Sequence, residues 1–148
     1  MIFFRPLGFA DPFAVIARLH KLKATFTDEL VLKEAGVESE VFKGWMSLRR
    51  QLTEAVIARA VDVRIERLKA GSATEWALEF GPPIKIVASL VTNPLCFESV
   101  REERVHMPSG SIWQVKADEM TCSENWGGSD RYHIIVSLPA PAKESGDA

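Results

Sequence analysis

The sequence predicts a mainly β domain with an N-terminal helical part, an α+β chain whose second half forms a sandwich or barrel of short antiparallel strands. Three observations carry this. From Val61 the pattern turns to β: V-D-V-R-I-E-R-L alternates apolar and charged residues, and I-K-I-V-A-S-L-V from Ile84 reads as a more buried strand. Turn formers punctuate that half, at Gly71, Gly81-Pro82-Pro83, Asn93-Pro94, Pro108-Ser109-Gly110 and Gly127-Gly128, at intervals of about 10 to 17 residues. Helical patterns are confined to the residues before them.

The first helix is predicted over residues 11–23. Asp11 supplies an N-cap acceptor, Pro12 suits the first helical position, and Phe13, Ile16, Ala17 and Leu19 to Leu22 make an apolar stripe. A second is predicted from Leu52 to Ala60, opened by Thr53 and closed by the β-branched run that follows. The charged stretch from Thr27 to Lys43 fits neither pattern. After Leu138 the segment P-A-P-A-K-E-S-G-D-A is polar and proline-rich, so residues 139–148 are expected to form a disordered tail behind a single domain of residues 1–138.

At 148 residues and 47% hydrophobic content the chain has room for one core and not for two domains of ordinary size. Its 18 basic and 20 acidic residues leave a formal charge of −2, which carries no footprint of nucleic-acid or anionic-membrane binding. No apolar run approaches the ~20 residues that span a bilayer, and M-I-F-F-R-P lacks the layout of a signal peptide. A soluble, cytoplasmic protein is expected, with Cys96 and Cys122 reduced because they lack CxxC spacing. Phosphate-binding glycine loops, zinc-spaced Cys and His sets and a G-x-S-x-G elbow are absent from the sequence.

Three segments stand in a telling order: V-T-N-P-L-C-F from Val91, V-H-M-P-S-G-S-I-W from Val105 to Trp113, and D-R-Y-H-I-I-V from Asp130 to Val136. Together with R-L-K-A-G at Arg67 to Gly71 they resemble the aspartyl/asparaginyl β-hydroxylase family over residues 61–138. The resemblance implies a double-stranded β-helix, the cupin-like jelly roll, and a chemistry based on iron and 2-oxoglutarate. It also exposes departures. T-E-W-A-L-E at Thr74 to Glu79 occupies the first metal-ligand segment with Ala77 inside it, K-I-V at Lys85 to Val87 replaces R-x-H, and Thr121 stands where the second iron histidine would, ten residues before Arg131. The chain thus resembles a divergent member lacking the iron-binding histidines.

Such iron needs imidazole and carboxylate donors with open positions left for the oxo-acid and oxygen. Ala77 has no donor, Thr121 offers a neutral hydroxyl, and Glu79 alone would not retain the metal. No metal ligands and no cofactor are expected. The resemblance does leave Arg131 as an anchor for 2-oxoglutarate or another small carboxylate, since its planar fork suits such a group. The alternative for Arg131 is an ion pair to Glu79 or Asp118. Lys85, Thr121 and Asn125 complete the expected ligand-binding set, and Glu79 and His133 are the candidate catalytic residues. His20 and His106 are expected to be structural.

These residues predict a metal-deficient homologue of a hydroxylase-like dioxygenase, acting as a binding module for a small anionic molecule or a protein partner. Two alternatives stay open. One is an active iron and 2-oxoglutarate hydroxylase of an amino acid or peptide side chain with relocated ligands such as Glu79 and His133. The other is a metal-independent isomerase or cyclase in the same cavity, using Glu79, Lys85 or His133 as acid and base. A homodimer is also possible, because sheets of this kind have exposed edges.

Overall fold

The computed structural model describes residues 1–78 and 83–139. Its twelve strands form two sheets. The large sheet contains β1 (Phe4–Phe9), β2 (Glu29–Glu34), β3 (Val37–Glu38), β4 (Asp62–Leu68), β7 (Ile84–Val91), β10 (Ser111–Lys116) and β12 (Arg131–Leu138), in the order β1-β10-β7-β12-β4-β2-β3. The small sheet runs β5-β11-β8-β9, from β5 (Ser72–Ala73), β8 (Cys96–Val100), β9 (Glu103–Val105) and β11 (Met120–Asn125), with β6 (Ala77–Leu78) also paired to β11. All pairings are antiparallel. From β4 onward the chain passes back and forth between the sheets, which is the jelly-roll architecture the sequence predicted.

Strand β12 is central because it is hydrogen-bonded along its length to β4 on one side and β7 on the other. Its residues alternate between two cores. Tyr132, Ile134 and Val136 face the outer side, where they meet Val15 and Leu19, Phe42, Trp45 and Leu48. That layer consists of the helices α1 (Phe13–Leu22), α2 (Glu40–Lys43), α3 (Met46–Leu52) and α4 (Glu54–Arg59). Ile135 packs on the inner side with Phe4, Val87, Val100, Met107 and Val115, between the sheets. A strand covered on both faces reads as a continuous apolar run, which is why β7 and β12 lack clean alternation.

The first helix lies close to its predicted span, with Asp11 Oδ1 accepting from the Phe13 backbone N–H at 3.0 Å. The second is shorter than predicted. Thr53 has φ 65, in the left-handed region, so the chain breaks there: Leu52 ends α3, and the Thr53 hydroxyl accepts from Val56 N at 3.4 Å to begin α4. The unassigned stretch supplies β2, β3 and α2, and Phe4–Phe9 is an edge strand, so the N-terminal part is not purely helical. Glu103 holds the chain beside that edge strand, its carboxylate accepting from Ile2 and Phe3 N–H at 2.8 to 3.2 Å. The predicted tail beyond residue 139 lies outside the described residues.

The T-N-P turn is locked to the β11–β12 turn by a side-chain knot. Asn93 Oδ1 accepts from Leu95 N at 3.0 Å, while its Nδ2 donates to Asn125 Oδ1 at 3.1 Å and to the Ser129 carbonyl at 2.9 Å. Asn125, fully buried, donates to the Leu68 and Ser129 carbonyls and accepts from Gly127 N at 3.1 Å. Gly127 sits so close that a Cβ there would lie 2.0 Å from Asn93 Oδ1. Gly127→Ala should therefore displace Asn93 and lower unfolding stability by about 1–3 kcal/mol, read from the urea midpoint; an unchanged midpoint would show that the turn yields freely.

Candidate functional site

The space between the sheets contains a cavity of about 80 Å³. Its inner wall on the large sheet follows from period-2 geometry. Arg131 and His133 of β12 face it, as do Lys85 and Val87 of β7, while the intervening residues face the helices. The small sheet contributes Glu98 and Val100 from β8, and Thr121 and Ser123 from β11. Glu66 of β4, one of the charged residues in the alternating pattern from Val61, also lines this cavity. Four of the six predicted site residues, Lys85, Thr121, Arg131 and His133, therefore meet at one place.

The other two do not join them. Asn125 belongs to the turn knot, where its amide is already bonded at both ends. Glu79 lies outside the described residues, and so does Phe80. Trp76 and Trp126 are exposed. His106 Nδ1 lies 2.9 Å from the Cys96 carbonyl, and His20 is exposed on α1. Cys96 and Cys122 are both buried and unpaired. Burial pushes the Cys122 thiol upward, the direction opposite to that of a reactive nucleophile.

Arg131 has a partner that sequence reasoning did not identify. Its Nη1 donates to Glu98 Oε1, whose other oxygen accepts from Ser123 Oγ. Asp118, the partner considered from sequence, is exposed. The Arg131 side chain is 4% exposed and that of Glu98 16%, so this is an internal ion pair. Burial raises the Glu98 proton affinity above its ordinary value of 4.5, against the pull of Arg131 and Ser123. The signal for Glu98 was a charge between Cys96 and Val100 at positions that share one face of a strand.

His133 presents a different state. It is 2% exposed, and among the described residues neither ring nitrogen has a hydrogen-bond partner; Glu98 lies 3.7 Å from Nδ1. Burial holds the imidazole well below its ordinary value of 6.5, with Arg131 and then His106 acting in the same direction. The ring is neutral, presenting one donor and one acceptor. Lys85 and Glu66 are engaged in interactions of their own.

The two positions that depart from iron ligation come together as well. Thr121 is the direct cross-strand partner of Ala77, with Val100 on its other side. At the two positions that the family resemblance assigns to iron ligands, a methyl group and a neutral hydroxyl thus face each other, and neither is a strong donor for ferrous iron. Among the described residues, no three His, Cys, Asp or Glu side chains cluster as a metal site.

No protein-family profile matches the sequence, and no curated protein matches it. Solved structures do. The viral collagen prolyl hydroxylase vCPH from Paramecium bursaria Chlorella virus-1, in complex with 2OG, is 9% identical with a TM-score of 0.62, over 94% of this chain and 97% of that one. A 2OG-Fe(II) oxygenase family oxidoreductase from Burkholderia pseudomallei gives 11% and 0.64, over 93% and 84%. Iron-bound HygX from Streptomyces hygroscopicus gives 13% and 0.60, over 93% and 82%. At these identities the likeness is one of fold.

The neutral His133 sets a sign for the pH dependence of stability. Below about pH 6.5 the unfolded chain protonates this ring while the folded chain does not. The unfolded state then binds more protons, and stability falls with acidification by up to about 1.4 kcal/mol per pH unit. Glu98 acts oppositely, because its folded form takes up a proton first. Urea unfolding between pH 7.5 and 5.5 should show a steeper acid loss in the wild type than in His133→Gln; equal slopes would mean that the buried ring titrates normally.

Proposed function

We propose that this jelly roll is an iron-independent binding module that takes a small, uncharged or zwitterionic polar molecule against His133. The observation that carries the reading is the buried imidazole whose two nitrogens lack partners at the wall of a cavity. A buried polar group without a hydrogen bond costs about 1–3 kcal/mol, so an occupant offering a donor and an acceptor stabilises the folded state directly. The cavity of about 80 Å³ suits a small occupant. The charged side chains on its wall, Glu66, Glu98, Lys85 and Arg131, are two of each sign, which favours a ligand without net charge.

The likeness to 2OG-Fe(II) oxygenases makes hydroxylation the competing reading. Its chemistry would require a metal to activate oxygen and an oxo-acid to supply electrons. The Ala77 and Thr121 pair speaks against the first, and Glu98 on Arg131 against the second. A small anion, expected from Arg131 in the sequence, would have to displace Glu98. In the proposed role Arg131 and Glu98 fix the polarity of the wall and His133 orients the ligand.

Protein loaded anaerobically with ferrous iron and 2-oxoglutarate should show no metal-to-ligand charge-transfer band, and should release no succinate on exposure to oxygen. Robust turnover would overturn the iron-independent reading. A crystal structure of the protein as purified should show a small molecule within hydrogen-bond distance of His133, and density there explained by water alone would overturn the ligand.

A further inference from the structure

We propose that Glu98 is a built-in carboxylate ligand of Arg131. The chain fills its own anion subsite from within, and that subsite accepts a free small carboxylate only when the side chain at position 98 is withdrawn. The proposal goes beyond the binding module argued above and does not rest on it, since no metal, turnover or ligand at His133 enters its test.

Arg131 opens β12 with its side chain 4% exposed, and a cation so placed requires a compensating anion. The carboxylate that meets it comes from the opposite sheet: Glu98 reaches across the cavity from β8. One of its oxygens accepts from Arg131 and the other from Ser123. A free carboxylate anchored at this place would use the same two donors, so the Glu98 head group occupies a ligand's position while remaining tethered to a strand.

The fit is also incomplete in an informative way. Arg131 engages Glu98 through Nη1, whereas its Nε is buried without a hydrogen-bond partner among the described residues. Glu98 is therefore bonded through one guanidinium nitrogen, whereas a free carboxylate could take the two-point geometry that the planar fork offers. Truncating Glu98 to alanine removes a CH2–COO⁻ fragment, and acetate replaces it heavy atom for heavy atom. Formate leaves a methyl-sized gap, and propionate adds one carbon too many.

The test uses metal-free full-length protein and acetate, formate, propionate and 2-oxoglutarate as probes, with chloride and acetamide as controls. The wild type should show no change in melting temperature with any of them. Glu98→Ala should melt lower than wild type and regain stability with acetate, less so with formate or propionate, and not with the controls. If it fails to fold in chloride, recovery of folded protein in acetate is the same expected result. Glu98→Gln keeps the shape and removes the charge; it should be less stable than wild type at neutral pH and unresponsive to acetate. The proposal is overturned if wild type and Glu98→Ala bind acetate or 2-oxoglutarate equally, if acetate restores nothing, or if Glu98→Gln is as stable as the wild type.

Discussion

Both faces of strand β12 are buried, and this constraint organises the molecule. Hydrogen bonds to β4 and β7 fix its backbone, leaving its side chains no choice but to alternate between the helical layer and the interior of the jelly roll. Tyr132, Ile134 and Val136 join the larger core, while Arg131 and His133 are held at the cavity by the same register. Sliding the strand by one residue would exchange these sets, placing a guanidinium and an imidazole among Val15, Leu19 and Phe42. The apolar face thereby secures the polar one, and the orientation of the site follows from the energetics of the core.

Within the cavity, composition alone would suggest reactivity: acids, bases, hydroxyls and an imidazole lie on facing strands. Their pairing argues for a different character. The buried charges of Arg131 and Glu98 compensate each other, and the His133 imidazole is kept neutral by loss of water. Ala77 opposite Thr121 puts weak or absent donors at the adjoining strands. The fold is shared with 2OG-Fe(II) oxygenases, and the proposal of an iron-independent role rests on the donor chemistry of Ala77 and Thr121 and on the pairing of Arg131 with Glu98.

Much of the β half was legible because turns and strands leave local signals. Asn93-Pro94 and Gly127-Gly128 mark real turns, and the apolar run from Ile84 is a strand buried on both faces. Lys85, Thr121, Arg131 and His133 were named through a family resemblance, and all four line one cavity. What escaped was set by long-range pairing. Phe4–Phe9 becomes a strand because β10 is there to receive it, and Glu29–Glu34 because β4 is. Glu98 looked ordinary in a short strand, and only the approach of the opposite sheet gives it Arg131 as a partner. Asn125, read as a ligand-binding residue, is drawn instead into a turn by Asn93 and Ser129, neither of which marks it in sequence.

The order of the large sheet has a consequence for how the chain acquires its shape. Strand β12 sits between two three-stranded ribbons, β1-β10-β7 and β4-β2-β3, which share no hydrogen bonds with each other. Every earlier strand of that sheet is made before the one that joins them. Neither the cavity nor either core is complete without residues 131–138, which also join the two ribbons. The last strand of the sheet to be made is the one on which its whole interior depends.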